Sequence, residues 1–214
     1  MPQVIIPSLI VALLAIMGTL IGFRINRKKT RQTLAGKKVM LFGPPLSGKT
    51  TFINWLIKGQ PTEEYYAGGS GDFETLKDEE NQTIYTFCDM GGGHGFLTGG
   101  VMEQKYKEND IILMFFNYAQ YISDNAYKTD VEARFDALAF LHKQEQKPVL
   151  LIGSHWDVLN DSQQQNVKSC GVVSLVDSSK EYYRFLGGLK LILANLKEKK
   201  EVMRIWTEIR NLSL

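Results

Sequence analysis

The chain has 214 residues, 25 basic and 23 acidic side chains, and a hydrophobic share of 44%. That length suits one globular domain with an appendage, and the apolar content is ample for a core. Charge is unevenly spread. Residues 1–23 carry none, and Arg24, Arg27, Lys28, Lys29, Arg31, Lys37 and Lys38 follow with no acid among them. From Val39 onward 18 basic residues face 23 acidic ones, a net of −5. A mildly acidic bulk domain argues against general nucleic-acid binding, which calls for a basic face on the domain itself. Cys88 and Cys170 are far apart and near no histidine at metal spacing. Neither a zinc site nor a disulfide framework is indicated.

Val4 to Phe23 (VIIPSLIVALLAIMGTLIGF) is a nearly continuous apolar run. About 20 helical residues reach across a ~30 Å hydrocarbon core. Pro7 falls near the start, where a helix tolerates it. A cleaved signal peptide needs basic residues before the run and a small-residue cleavage site after it. Here the basic residues come after it, and positive flanks stay on the cytoplasmic side. The run is therefore expected to be an uncleaved single-pass anchor, residues 1–23, in contact with the lipid bilayer through residues 4–23. The basic linker 24–36 faces anionic head groups, and everything after Arg24 is cytosolic. Gly18 and Gly22 form a Gly-x-x-x-Gly pair, a pattern of helix association that also arises from simple glycine abundance in membrane helices.

Lys37–Phe42 is predicted as a buried strand, Gly43–Gly48 as a loop, and Lys49–Lys58 as a helix with Phe52, Ile53, Leu56 and Ile57 on one face. Residues 60–71 read as a loop. Strands 72–77 and 82–89 flank a polar turn, and residues 90–100 are rich in glycine. Further strands are expected at 110–117, 147–153 and 172–176, and a helix at 129–144 with Val131, Phe135, Leu138 and Leu141 in step. The tail from Tyr182 is predicted helical, with Leu189, Ile192, Leu193 and Leu196 sharing one face and Val202, Ile205, Trp206 and Ile209 another. Buried strands alternating with helices mean an α/β fold of three layers, a mostly parallel sheet with one antiparallel edge from the hairpin. The body of that fold is residues 37–198, followed by an amphipathic helix over 199–214. Ligands in such sheets bind beyond the carboxyl ends of the strands.

Gly43-Pro44-Pro45-Leu46-Ser47-Gly48-Lys49-Thr50 matches G-x-x-x-x-G-K-[ST] between a buried strand and an amphipathic helix. The spacing has a physical reason. Successive backbone N–H groups must turn inward around a phosphate, and Gly43 and Gly48 permit the angles and close approach. The helix presents its positive end to the anion. Lys49 is then the phosphate contact and a catalytic candidate, Thr50 a magnesium ligand, and Ser47 and Thr51 further nucleotide contacts. Asp89 ends a strand and opens Asp89-Met90-Gly91-Gly92. Its carboxylate can hold a magnesium-bound water, and Gly92 lets the backbone approach the γ-phosphate. For the remaining hydroxyl ligand to magnesium, Ser70, Thr75 and Thr62 are candidates. Ser70 is preferred because it lies in the glycine-rich loop before the hairpin. In Gly153-Ser154-His155-Trp156-Asp157, the Asp157 carboxylate can accept two hydrogen bonds from guanine, whereas adenine would face it with a lone pair. Ser178, Ser179 and Lys180 follow the strand expected at 172–176.

The order of these motifs, over Lys37 to Leu196, resembles the Ras-like and Arf-like small P-loop GTPases. On that resemblance Lys49 and Thr50 fall on the phosphate and magnesium positions, Asp89 and Gly92 on Asp-x-x-Gly, His155 and Asp157 on the base motif, and Ser179 and Lys180 on the loop that contacts guanine O6. The anchor ahead of the domain is similar to that of the signal recognition particle receptor β subunit. The resemblance implies GTP/GDP and Mg²⁺ as ligands, slow intrinsic hydrolysis, and a protein effector or activating protein as partner. Three departures stand out. Ser154 and His155 replace the usual Asn or Thr and Lys. Gly93 replaces the glutamine that orients water, with His94 one residue later as a possible substitute or a plain loop histidine. The switch threonine is not identifiable. The alternatives to a regulatory GTPase are a non-catalytic guanine-nucleotide scaffold for a membrane complex and an ATP-dependent P-loop enzyme.

Overall fold

The computed structural model describes residues 36–61, 73–80, 83–93, 100–170 and 182–212. The expected anchor at 4–23, most of the basic linker, the strand expected at 172–176, and Ser70, His94, Ser179 and Lys180 lie outside the described residues. Among the described residues no helix is long and apolar enough to cross a membrane. The main compact unit is Lys37–Leu76 with Tyr85–Leu214, and a second unit holds Gly36 and the hairpin tip Lys77–Ile84. At that tip the Glu80 N–H bonds the Asp78 carboxylate at 3.2 Å, closing the turn.

The strands are β1 (Gly36–Phe42), β2 (Phe73–Asp78), β3 (Thr83–Asp89), β4 (Ile111–Asn117), β5 (Val149–Ser154) and β6 (Lys190–Leu193). They form one six-stranded sheet in the order β2-β3-β1-β4-β5-β6. β1 pairs parallel with β4 (Leu41 opposite Leu113), β4 with β5 (Met114 opposite Leu151), and β5 with β6 (Ile152 opposite Ile192). The short connection between β2 and β3 allows only an antiparallel pair, which makes β2 the antiparallel edge. β4 and β5 are buried at every position, as expected of strands covered on both faces.

Alternate residues of the central strands feed two cores. Val39, Leu41, Leu113 and Phe115 pack on one face with Phe52 and Ile53 of α1 (Lys49–Lys58) and with Val202, Ile205 and Ile209 of α7 (Lys199–Leu212). Met40, Phe42, Met114 and Phe116 pack on the other with Met102 and Tyr106 of α2 (Val101–Glu108), Tyr118 and Tyr121 of α3 (Tyr118–Ser123), and Val131, Phe135 and Leu138 of α4 (Asn125–Gln144). The remaining helices are α5 (Asp161–Cys170) and α6 (Tyr183–Gly187). α7 is sewn to its own domain: Trp206 stands edge-on to Tyr85 with ring centroids 4.7 Å apart.

Three expectations are corrected. Lys190–Leu193 is a strand, not part of a helical tail. Its apolar residues also fit helical spacing, and a short apolar run is ambiguous between the two periods. Here Ile192 packs into the core shared with α1 and α7, while Leu191 and Leu193 pack against the opposite one. The last strand of the sheet is therefore β6, which pairs with β5 and leads into a loop from Ala194; the loop expected at Ser178 lies outside the described residues. α4 also begins earlier than predicted, because Asp124 accepts the N–H groups of Ala126 and Tyr127 at 2.9 and 3.1 Å and caps it.

Candidate nucleotide-binding site

The carboxyl ends of β1, β3 and β5 carry the residues that the motifs singled out. β1 stops at Phe42 and the chain turns through Gly43 at φ +146°. A Cβ at Gly43 would stand 2.0 Å from the Phe115 carbonyl oxygen, so the loop starts flush against the β4 backbone. Leu46 (φ +59°) and Gly48 (φ +92°) also take left-handed angles. This backbone curls the loop into a cup whose rim opens onto α1. α1 has no side-chain cap at its N-terminus, which leaves its first N–H groups for an anion.

Lys49 lies across the cup. Its side chain is 7% exposed, and Nζ donates to the carbonyls of Gly43 (3.0 Å) and Pro44 (2.9 Å) and to Ser47 Oγ (3.2 Å). Burial lowers its pKa to about 8, while the Asp89 carboxylate works in the other direction. Ser47 is fully buried beneath the loop. Thr50 Oγ1 donates to Asp89 Oδ2 at 3.1 Å, which brings a hydroxyl from α1 against a carboxylate from the end of β3. Thr51 follows in the same helical turn, half-buried. Gly92 closes the arrangement from above. A Cβ there would meet Pro45 N at 2.3 Å and the Pro44 carbonyl carbon at 2.7 Å, so its backbone rests on the loop backbone.

The far end of the site is built by β5 and the loop after β6. Ser154 is fully buried; its Oγ donates to the Phe116 carbonyl at 3.3 Å and lies 2.7 Å from His155 Nδ1. His155 takes a left-handed backbone angle (φ +59°), and burial lowers its pKa, so it stays neutral at physiological pH. Asp157 sits in the 3-10 turn Trp156–Val158, partly exposed, 3.6 Å from Lys197 Nζ. A Cβ on Gly48 would meet Leu196 Cδ1 at 2.5 Å and Ser154 Cβ at 3.5 Å, so the phosphate loop, the β5 loop and the β6 loop converge at Gly48. Trp55 of α1 fastens the β6 loop by donating Nε1–H to the Leu196 carbonyl at 2.8 Å. A cavity of about 580 Å³ opens beside Asp157, lined by Trp156, Leu193, Asn195, Glu201 and Arg204 among others. No residue of the phosphate loop lines it, so it is separate from the phosphate end.

The structure thus brings together Gly43, Ser47, Gly48, Lys49, Thr50, Asp89 and Gly92, and sets His155 and Asp157 beside them through Ser154. Two features escaped the sequence. The first is the wall Ala194–Lys197, hidden by the helical reading of β6. The second is Arg134 of α4, 2% exposed, whose Nη2 donates to the Gly92 carbonyl. Its signal was a charge one residue before Phe135 on the stripe Val131, Phe135, Leu138. Among the described residues no cluster of three or more histidine, cysteine or carboxylate side chains is placed to hold a metal.

A family model described as "50S ribosome-binding GTPase" matches residues 38–155, from β1 to the residue after β5. Among curated proteins, the GTPase Der of Mycoplasma mycoides subsp. mycoides is 22% identical over 178 residues, covering 78% of this chain and 38% of its own. The GTPase Der of Mesoplasma florum is 21% identical over 185 residues, covering 82% and 39%. The chain therefore spans less than two fifths of the length of these relatives. With the matched segment covering more than half of the chain and ending on the base loop, this protein belongs to the GTPase family described as 50S ribosome-binding GTPase.

Proposed function

We propose that this chain is a membrane-anchored, guanine-nucleotide-binding switch that binds GTP and GDP with Mg²⁺ and hydrolyses GTP slowly. The observation that carries the reading is the convergence of three oxygen and nitrogen donors on one cup: Lys49 Nζ across the loop, the Thr50 hydroxyl against Asp89, and the Gly92 backbone resting on Pro44 and Pro45. The residues fit the ligands. Gly43 and Gly48 take angles that a phosphate cradle needs, and the hydroxyl–carboxylate pair is an all-oxygen donor set suited to a hard cation. When bound, Mg²⁺ would neutralise phosphate charge, with Thr50 as direct ligand and Asp89 holding its water. Lys49 would exchange its loop carbonyls for phosphate oxygens, and Asp157 would accept from the guanine edge.

Slow hydrolysis follows from Gly93. It carries no side chain to orient water, and none of the described residues lies within 4 Å of where its Cβ would be. That same position favours the second reading, a nucleotide-binding scaffold without turnover. An ATP-dependent enzyme is disfavoured by Asp157. The anchor rests on the apolar run 4–23 and its basic flank, which would hold the domain on the cytoplasmic side. A protein effector or activating protein would read the nucleotide state; nucleic acid is not expected.

Single-turnover hydrolysis by the full chain tests the reading. GTP should be consumed slowly and only with Mg²⁺, and Thr50→Ala should lower the apparent Mg²⁺ affinity of the nucleotide complex about ten- to a hundredfold. Magnesium-independent binding equal in wild type and variant would remove the metal role. Resistance of the full chain to alkaline extraction from membranes checks the anchor, and its release into the wash would refute it.

A further inference from the structure

On the buried stripe of α4, between Val131 and Phe135, the chain carries a cation. The Arg134 side chain is 2% exposed, and its Nη1 lies 3.1 Å from the Asp130 carboxylate one turn earlier. The guanidinium carbon stands 5.8 Å from the centroid of Phe42, the residue that leads into the phosphate loop. Nη2 donates to the Gly92 carbonyl, while Nε and Nη1 are buried with no hydrogen bond among the described residues, Nη1 keeping its ionic contact with Asp130. Burial lowers the pKa of this group and the Asp130 charge opposes that. A buried ion pair rarely stabilises a fold better than well-packed apolar residues would. The contact that distinguishes Arg134 from a leucine at this place is its bond to Gly92.

That bond meets a need that no side chain can meet. Gly91-Gly92-Gly93 has no Cβ to pack, and glycine loses more backbone freedom on ordering than any other residue. Upstream, Met90 is fixed: its N–H bonds the Leu41 carbonyl at 2.9 Å and its side chain is buried. At Gly92 a side chain is forbidden by Pro44 and Pro45, and at Gly93 one would meet none of the described residues. The segment can be held over the loop only through its backbone, and the planar fork of an arginine can grip a carbonyl and a carboxylate at once.

We propose that Arg134 is the positioning residue that fixes the Gly92–Gly93 peptide over the phosphate loop, and that it thereby sets how well the domain tells a nucleoside triphosphate from a diphosphate. The proposal rests on the nucleotide-switch reading above. Arg134 would act through Gly92, whose backbone rests on Pro44 and Pro45 and which the Asp-x-x-Gly reading turns toward the terminal phosphate. Its loss should change the ratio of the two affinities and not their common part.

The test uses the full chain, with Arg134→Met and Arg134→Lys. Affinities for GDP and for a non-hydrolysable GTP analogue are measured by displacement of a fluorescent nucleotide, with a thermal melt alongside. The Met variant is expected to hold GDP within about twofold of wild type and to lose the triphosphate analogue about tenfold. The Lys variant keeps the charge beside Asp130 but not the fork, and should fall between them. If the Met variant does not fold, the ratio in the Lys variant decides. An equal loss for both nucleotides, an unchanged ratio, or a raised preference for triphosphate overturns the proposal. A wild-type chain that binds neither nucleotide refutes the switch reading itself, and this proposal with it.

Discussion

Lys49→Met should abolish nucleotide binding, lowering affinity by at least about a hundredfold, because two or more charge-assisted bonds to phosphate disappear together. The structure adds a second consequence. Lys49 Nζ is the donor to the carbonyls of Gly43 and Pro44, both buried residues. A methionine leaves both without that donor, so the variant should also lose stability, on the order of 1–3 kcal/mol. Lys49→Arg should not rescue binding. A planar fork is wider than an ammonium and cannot fit a cup whose three acceptors lie within 3.2 Å of one nitrogen. Titration calorimetry with GDP and a urea melt separate the two effects. Retained affinity in the Met variant would mean that the loop does not bind phosphate in this protein.

Gly43→Ala is expected to be the most disruptive Gly→Ala change among the described glycines, costing about 4 kcal/mol or more. The added Cβ would meet three atoms of one residue, Phe115 O, C and N, at 2.0, 2.9 and 3.3 Å. These are backbone atoms of β4, which is paired with β1 on one side and β5 on the other, so they cannot step aside. The left-handed angle adds strain. Gly59→Ala is the matched control. Gly59 also has a positive φ, +70°, as the cap of α1, but none of the described residues lies within 4 Å of its would-be Cβ. It should cost only about 1 kcal/mol. Equal melts for the two variants would show that conformation alone, and not close approach to β4, explains the glycine.

The central strands and the phosphate loop were legible because each is dictated by one dominant force. KKVMLF, DIILMFFN and KPVLLIG are apolar without alternation, the mark of burial on both faces, and β1, β4 and β5 lie there. The loop must satisfy a phosphate, so its residues and spacing are prescribed. What escaped was weakly determined. α2 buries only Met102 and Tyr106, and α5 reads DSQQQNVKSC, so neither offers a periodic apolar face. β6 has four residues whose leucines fit either period, so the helical reading of the tail hid both the strand and the loop that leaves it at Ala194. α3 owes its start to Asn117, whose side chain caps it by accepting the Gln120 N–H at 3.1 Å at the end of a strand. Arg134 was invisible for the opposite reason. Its role depends on a carbonyl 42 residues away, and periodicity marks only that a charge interrupts an apolar stripe.

The central claim is that this cup takes a guanine nucleotide, and nucleotide preference tests it most directly. The full chain is loaded with fluorescent GDP and challenged with GTP and with ATP, with Asp157→Asn beside it. GTP should displace the probe about a hundredfold or more better than ATP, because adenine leaves the Asp157 carboxylate facing a lone pair. The Asn variant should lose that preference, its amide offering a donor where guanine also donates. Equal competition by ATP, or a preference for GTP that survives Asp157→Asn, would contradict the account.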